Sequence, residues 1–161
     1  FLLDVRFHRS PNKQGDGPEK RVLGAAQWAW FAEALATSKA TFKLVCSGSV
    51  LDANESDTWR DFPTDRARLF ALLAERKVGG VVFLTGDLHY CIVQMHPPER
   101  TGTYAVPEVV SSGIANSKPL GFAVLDLDTT LADPTLQVRL LDGRRRVTHE
   151  QTFLRSALGP R

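Results

Sequence analysis

The chain has 161 residues, 43% of them hydrophobic, enough to bury a core in one domain. Lys and Arg number 20 against 18 Asp and Glu, a net charge of +2. That balance is too even to point to nucleic acid or an anionic membrane surface, and no apolar run approaches the ~20 residues of a membrane-spanning helix.

The chain opens with Phe1-Leu-Leu-Asp-Val-Arg-Phe7, which reads as the middle of a strand from Leu2 to Phe7, so further chain is expected upstream. Asp4 and Arg6 share one face of that strand. Such spacing suits a local ion pair, with contact to a substrate as the sharper option. Ser10 to Glu19 holds Pro11, Gly15, Gly17 and Pro18 among polar residues and is a loop.

Leu23, Gln27, Trp30, Phe31, Ala34 and Leu35 recur at three- and four-residue spacing, predicting a helix over Gly24 to Ser38 with one apolar stripe against a sheet. Trp28 falls on its flank. Thr41 to Cys46 reads as a buried strand ending in Ser47-Gly48-Ser49. Asp52 to Pro63 is a polar loop carrying Trp59, which suits core anchoring or ligand contact. A second helix opens at Pro63 or Thr64, with Asp65 in its first turn, Leu69, Phe70, Leu72 and Leu73 on its buried face, and Arg76-Lys77 suited to its C-terminal dipole. Gly79-Gly80 ends it.

Val81 to Leu84 is an unbroken apolar run, the mark of a strand buried on both faces. Thr85-Gly86 breaks it, and Asp87 and His89 follow. An extended backbone would point both to one side, at the strand end where open α/β sheets bind ligands. A carboxylate and an imidazole there suit a divalent cation; equally, Asp87 caps a turn and His89 sits on the surface. The alternation of strand and helix to this point predicts α/β layering. Beyond Tyr90, five further strands are expected: Cys91 to His96, Tyr104 to Ser111, Gly121 to Leu127, Leu136 to Leu141 and Arg145 to Phe153. Pro and Gly punctuate them, and they are mainly antiparallel. Arg144-Arg-Arg146 suits a solvated hairpin tip. Cys46 and Cys91 read as buried thiols. A thiol enzyme pairing Cys91 with His89 finds no third group to orient the imidazole.

Five blocks in order carry a family resemblance. They are Leu3-Asp-Val-Arg-Phe-His-Arg9, Leu23-Gly-Ala-Ala-Gln-Trp-Ala-Trp30, Asp57-Thr-Trp-Arg-Asp-Phe-Pro63 with Arg66, Gly86-Asp-Leu-His-Tyr90, and Glu108-Val-Val-Ser-Ser-Gly113. Together they resemble the PhoD-like alkaline phosphatase/phosphodiesterase family, of the calcineurin-like metallophosphoesterase superfamily. The resemblance implies a β-sandwich flanked by helices, with divalent metal ions (Ca, Fe, Mn or Zn) at the strand ends and a phosphate ester as substrate. It makes Asp87 and His89 metal ligands, puts Arg6 and Trp59 forward as substrate-binding residues, and suggests an extracytoplasmic setting.

The family carries most of its metal ligands on motifs of an N-terminal half that this sequence lacks; His8, His96 and His149 show no ligand spacing. The expectation is therefore a single domain over 1–161, the C-terminal half of a phosphoesterase domain. It would hydrolyse phosphate mono- or diesters in the intact protein and have weak or no activity alone. The alternative from another class is a non-catalytic interaction domain that keeps the fold without the metal chemistry.

Overall fold

The structure, a computed structural model, describes residues 1–115 and 119–160. Its elements are β1 (Leu2–Leu3), α1 (Ala25–Thr37), β2 (Lys43–Ser47), α2 (Pro63–Glu75), β3 (Val81–Thr85), β4 (Cys91–His96), α3 (Pro98–Thr101), β5 (Val106–Ser111), β6 (Gly121–Asp128), β7 (Thr135–Asp142) and β8 (Val147–Leu154). One sheet has five strands in the order β1-β2-β3-β5-β4, and the other has three in the order β6-β7-β8. Strands β1, β2, β3 and β5 run parallel, β4 runs antiparallel to β5, and the second sheet is antiparallel throughout. The expected α/β half and antiparallel second half are both present.

Strand periodicity divides the core in two. In β3, Val81 and Phe83 join α1 residues Phe31 and Leu35 and α2 residues Leu69 and Leu73 in one cluster. Val82 and Leu84, from the opposite face, join Leu136, Val138, Leu140 and Phe153 of the second sheet. Residues i and i+2 share a face, so a strand apolar at every position serves two layers at once. The five-stranded sheet thus lies between a helical layer and the three-stranded sheet. Both helices pack on one face, as right-handed crossovers stepping in one direction across β1, β2 and β3 require.

Several local expectations change. The first strand stops at Leu3 rather than running to Phe7, because the Asp4 carboxylate accepts the amides of Arg6 and Phe7, each at 2.9 Å. Gln27 is not part of an apolar stripe: its amide bonds the Asp4 backbone N–H at 2.8 Å and C=O at 2.7 Å, standing in for a strand partner. The two α1 tryptophans exchange the expected roles. Trp30 is 51% exposed, while Trp28 packs on the core and carries the Arg68 guanidinium 3.8 Å over its ring. Asp65 is buried and accepts the Val22 amide at 2.8 Å, so it fastens the incoming loop rather than acting only on the helix dipole. The punctuation at Pro97-Pro98 conceals α3, begun by Pro98 and closed by left-handed Gly102. Cys46 and Cys91 are free thiols, half-buried rather than buried as expected. The basic run lies at the β7–β8 turn, where the Asp142 carboxylate accepts the Arg144 and Arg146 amides.

Candidate active site

The loops that follow β1, β2 and β3 leave the sheet at the carboxyl ends of parallel strands, where open α/β sheets gather ligands. Each loop brings a charged group. Arg6 follows β1, Asp57 lies in the long segment after β2, and Asp87 and His89 follow β3. Arg6 is held between two carboxylates: it pairs with Asp57 through Nη1 and with Asp87 through Nη2 at 3.3 Å. Asp4, expected as its local partner, instead caps the turn that carries Arg6, accepting the Arg6 and Phe7 amides.

Asp57 is the hub. It also pairs with Arg9 and accepts Asn12 Nδ2 at 2.7 Å, while its own amide donates to the Asp61 carboxylate at 2.6 Å. Burial works to raise its pKa, but the hydrogen bonds from Asn12 and Arg6 and the charge of Arg9 outweigh it and bring it to about 2. Asp57 is therefore an anion under all ordinary conditions, and it fixes the two guanidinium groups.

After Thr85 the backbone is not extended. Asp87 and His89 both adopt left-handed conformations, with φ of 75° and 58°. Positive φ is uncommon for residues with a β-carbon and marks constrained or functional turns. The two residues still border one space: Asp87, His89, Ser112, Ile114 and Ala115 line one open depression of 330 Å³. Ser112, at the end of β5, accepts the His89 amide at 3.2 Å and so fixes that turn against the neighbouring strand.

Trp59 lies elsewhere. Its ring is wholly buried, and its indole N–H donates to Ser47 Oγ at 3.1 Å, which in turn donates to the Ser49 carbonyl at 2.6 Å. A ring so enclosed has no face for a ligand; it anchors the segment that carries Asp57. Ser47, at the end of β2, is consumed in the same anchor.

A second polar layer lies beneath. Glu108 on β5 is 0% exposed. One of its oxygens accepts the Leu51 amide at 2.8 Å and Thr85 Oγ1 at 2.7 Å; the other accepts Gln94 Nε2 at 2.7 Å and lies 2.8 Å from His96 Nε2. It thereby ties the ends of β3 and β4 to the segment after β2. Asp52 continues the chain of contacts, paired with Arg66 at 3.0 Å and with Arg100 of α3. Arg66 accordingly has a structural position.

The donors for a metal can be counted. Among the described residues, no three of His, Cys, Asp and Glu converge to hold an ion. Asp87 and His89 around one depression fit as one edge of a metal centre, not as a closed dinuclear site. Asp57 joins the site with no sequence expectation of its own, although it stands in the Asp57–Pro63 block, and Ser112 stands at the strand end of the Glu108–Gly113 block.

Comparison with known proteins agrees with this architecture. Alkaline phosphatase D of Bacillus subtilis (strain 168) is 25% identical over a stretch taking in 55% of this chain and 18% of the relative. A solved structure titled Structure of PhoD superposes with a TM-score of 0.66 at 16% identity, covering 94% of this chain and 41% of the other. That second likeness is one of fold. This chain spans less than half the length of either protein. Residues 1–147 match the family model of the PhoD-like phosphatases, and the chain belongs to that family.

Proposed function

We propose that this chain is the C-terminal half of a metallophosphoesterase domain of β-sandwich type, hydrolysing phosphate mono- or diesters by a metal-activated water when the domain is complete. The observation that carries the reading is the convergence of Arg6, Asp87 and His89, from two strand-end loops, on the carboxyl end of one parallel sheet. Membership of the PhoD-like phosphatases supports it.

In this reading Asp87 and His89 supply a carboxylate oxygen and an imidazole nitrogen to divalent metal. Bound metal would polarise the phosphoryl oxygens and lower the pKa of a bound water. The residues of this chain do the rest of the local work. Arg6 presents a planar fork suited to phosphoryl oxygens, and its attachment to Asp57 keeps it from collapsing onto Asp87 alone. Ser112 holds the His89 turn. Trp59 acts indirectly, by fixing the segment from which Asp57 reaches Arg6. Two donors are fewer than the three or more protein ligands of a catalytic metal, so the remaining ligands belong to another part of the domain, and this chain alone has little or no turnover.

The test is metal content and p-nitrophenyl phosphate hydrolysis, on this chain alone and on the chain joined to its native upstream sequence. The joined protein is expected to hold metal and turn over; failure of both forms to do either would overturn the reading. In the joined protein, His89→Ala should lower kcat/KM by about 10²-fold or more, since a lost ligand exceeds the 10–100-fold typical of groups that merely orient one. Unchanged activity would remove His89 from the ligand set.

A further inference from the structure

At the opposite end of the same strands lies a second concavity, of 480 Å³, larger than the depression at Asp87 and His89. It is lined by Lys39, Lys43, Lys77 and Arg155, with Thr41 and Gly79 between them. Lys43 opens β2 and Ser47 closes it, so the two sites stand about 13 Å apart along the strand at ~3.3 Å per residue. Among the described residues, no Asp or Glu lines this cavity. Among the described residues, none of its four cations pairs with a carboxylate.

The inner two cations are built in. Lys43 is 7% exposed and Arg155 5%. Lys43 Nζ donates to the carbonyls of Ala40 and Gly79, both at 3.0 Å. Arg155 donates to the carbonyls of Gly159 at 3.0 Å and Pro160 at 2.6 Å. These bonds orient the cations without neutralising them, and an ammonium and a guanidinium both have further N–H donors. Gly79 and Gly80 are part of the construction. A β-carbon on Gly79 would lie 1.9 Å from the Pro160 oxygen and 2.9 Å from Arg155 Nη2, and one on Gly80 would lie 3.0 Å from Arg155 Nε. α2 has already ended at Glu75, so the role of the pair is not to end the helix but to leave room for a guanidinium.

Fastening the C-terminal turn accounts for Arg155 but not for Lys39 and Lys77, which sit on the exposed rim. The C-terminal ends of α1 and α2 face this side of the sheet, each worth roughly −0.5 charge. Together they offset about one of four positive charges. Burial, followed by the charges of Arg155 and Lys39, lowers the Lys43 pKa, as expected for a cation without a counter-ion. Asp133, next to lining residues Ala132 and Pro134, directs its carboxylate to the Ser156 amide at 3.0 Å and hydroxyl at 2.5 Å.

We infer that this cavity is an anion site for a soluble, multivalent phosphate-class ligand, held by Lys39, Lys43, Lys77 and Arg155 and separate from the phosphoester-facing end. Lysine point charges with an arginine, beside a threonine hydroxyl, match clustered phosphoryl oxygens better than a single carboxylate. The volume admits a diphosphate or a larger phosphorylated molecule.

The probe is pyrophosphate, titrated calorimetrically at low ionic strength against the wild-type chain, His89→Ala, and the double variant Lys39→Glu/Lys77→Glu. The wild type and His89→Ala should bind alike, and the double variant should lose about tenfold or more in affinity, as reversal of two partly screened charges implies. If the reversed pair fails to melt cooperatively, Lys39→Gln/Lys77→Gln gives the same readout with a loss of several-fold. Amide chemical shifts of Thr41 and Gly79 should move on titration. Absence of saturable binding to the wild type overturns the site. So does loss of binding in His89→Ala with retention in the lysine variants, which would place the anion at the other end and leave the phosphoesterase reading standing. Binding of citrate as tight as pyrophosphate overturns the phosphate class.

Discussion

The two sheets solve the same packing problem in different ways. The five-stranded sheet is covered on both faces, and β3 and β5 are buried almost throughout. The three-stranded sheet is covered on one face. In β7, Leu136, Val138 and Leu140 alternate with half-buried Gln137 and Arg139, and β8 is mostly solvated. The one-faced sheet keeps its interior apolar. The two-faced sheet buries a carboxyl group, Glu108 of β5, and gives both of its oxygens hydrogen-bond partners. A buried acid is tolerable only when hydrogen-bonded, and its partners are the strand ends and the segment that position the candidate site. Apolar matching of two surfaces builds the second sheet, whereas the first also carries a device that fixes loop geometry.

The largest effect should come from breaking that device. Glu108→Ala removes one group and strands four donors, on Leu51, Thr85, Gln94 and His96. Each buried donor left without a partner costs about 1–3 kcal/mol, so the midpoint of urea unfolding should fall sharply. Glu108→Gln, which keeps an acceptor at Oε1, should recover part of the loss. A Glu108→Ala protein with wild-type stability would show that the network is ornamental. In the other sheet, Val138→Ala removes apolar volume between the layers and should lower stability by about 2 kcal/mol, with no change in the geometry of Arg6 or His89. Spectroscopic perturbation at His89 in that variant would mean that the sheets are coupled more tightly than their separate roles imply.

The same contrast governs what the sequence discloses. Apolar runs and alternation report burial, so β3, β7, α2 and the order of the strands are legible, while the short α3 is not. The polar devices are not, because their partners are remote. Glu108 lies 57 residues from Leu51 and 23 from Thr85, and no periodic pattern links them. Asp4 and Gln27 end a strand that composition alone would continue to Phe7, through bonds across 23 residues. At the site, Asp87 and His89 are legible as chemistry but not as geometry. Two-residue spacing suggests an extended backbone, and the left-handed turn at both positions depends on the Ser112 contact from β5. Asp57 stood next to Trp59 in a quoted block, yet its partners Arg6, Arg9 and Asn12 lie 51, 48 and 45 residues away. Lys43 and Arg155 carry no sequence signal of their enclosure, which comes only from folding.

A smaller effect is expected where the first sheet meets solvent. Asp57, with a pKa lowered to about 2 from an ordinary 3.8, contributes stability that is fully present above about 3.8 and is lost as pH falls through about 2. Partial exposure limits the contribution to about 1–2 kcal/mol. Asp57→Asn should therefore lower stability at pH 7 by that amount. It should also flatten the wild type's decline between pH 4 and pH 2, the window set by the two pKa values. An unchanged acid limb would show that the Arg6, Arg9 and Asn12 contacts do not bear on folding.

The smallest effect belongs to the solvated face of the second sheet. Arg139 of β7 reaches Asp126 of β6 at 2.6 Å, two residues along the strand from its direct cross-strand partner Val124 and so on the same face. Both side chains are partly exposed, at 35% and 55%, so water and salt screen the pair. Such contacts contribute about 0.2–1 kcal/mol, and Asp126→Asn should shift the thermal midpoint by no more than a few degrees. At about 1 M salt the Debye length falls to ~3 Å, and the difference between variant and wild type should vanish. Asp57→Asn gives the counterpart measurement, because its carboxylate is held by two guanidinium groups and an amide and its deficit should persist in high salt. If both deficits vanish together, the ion pairs at the strand ends are no better enclosed than those on the outer sheet. A surviving Asp57 deficit beside a screened Asp126 deficit would show that the two-faced sheet shelters its charges as well as its apolar core.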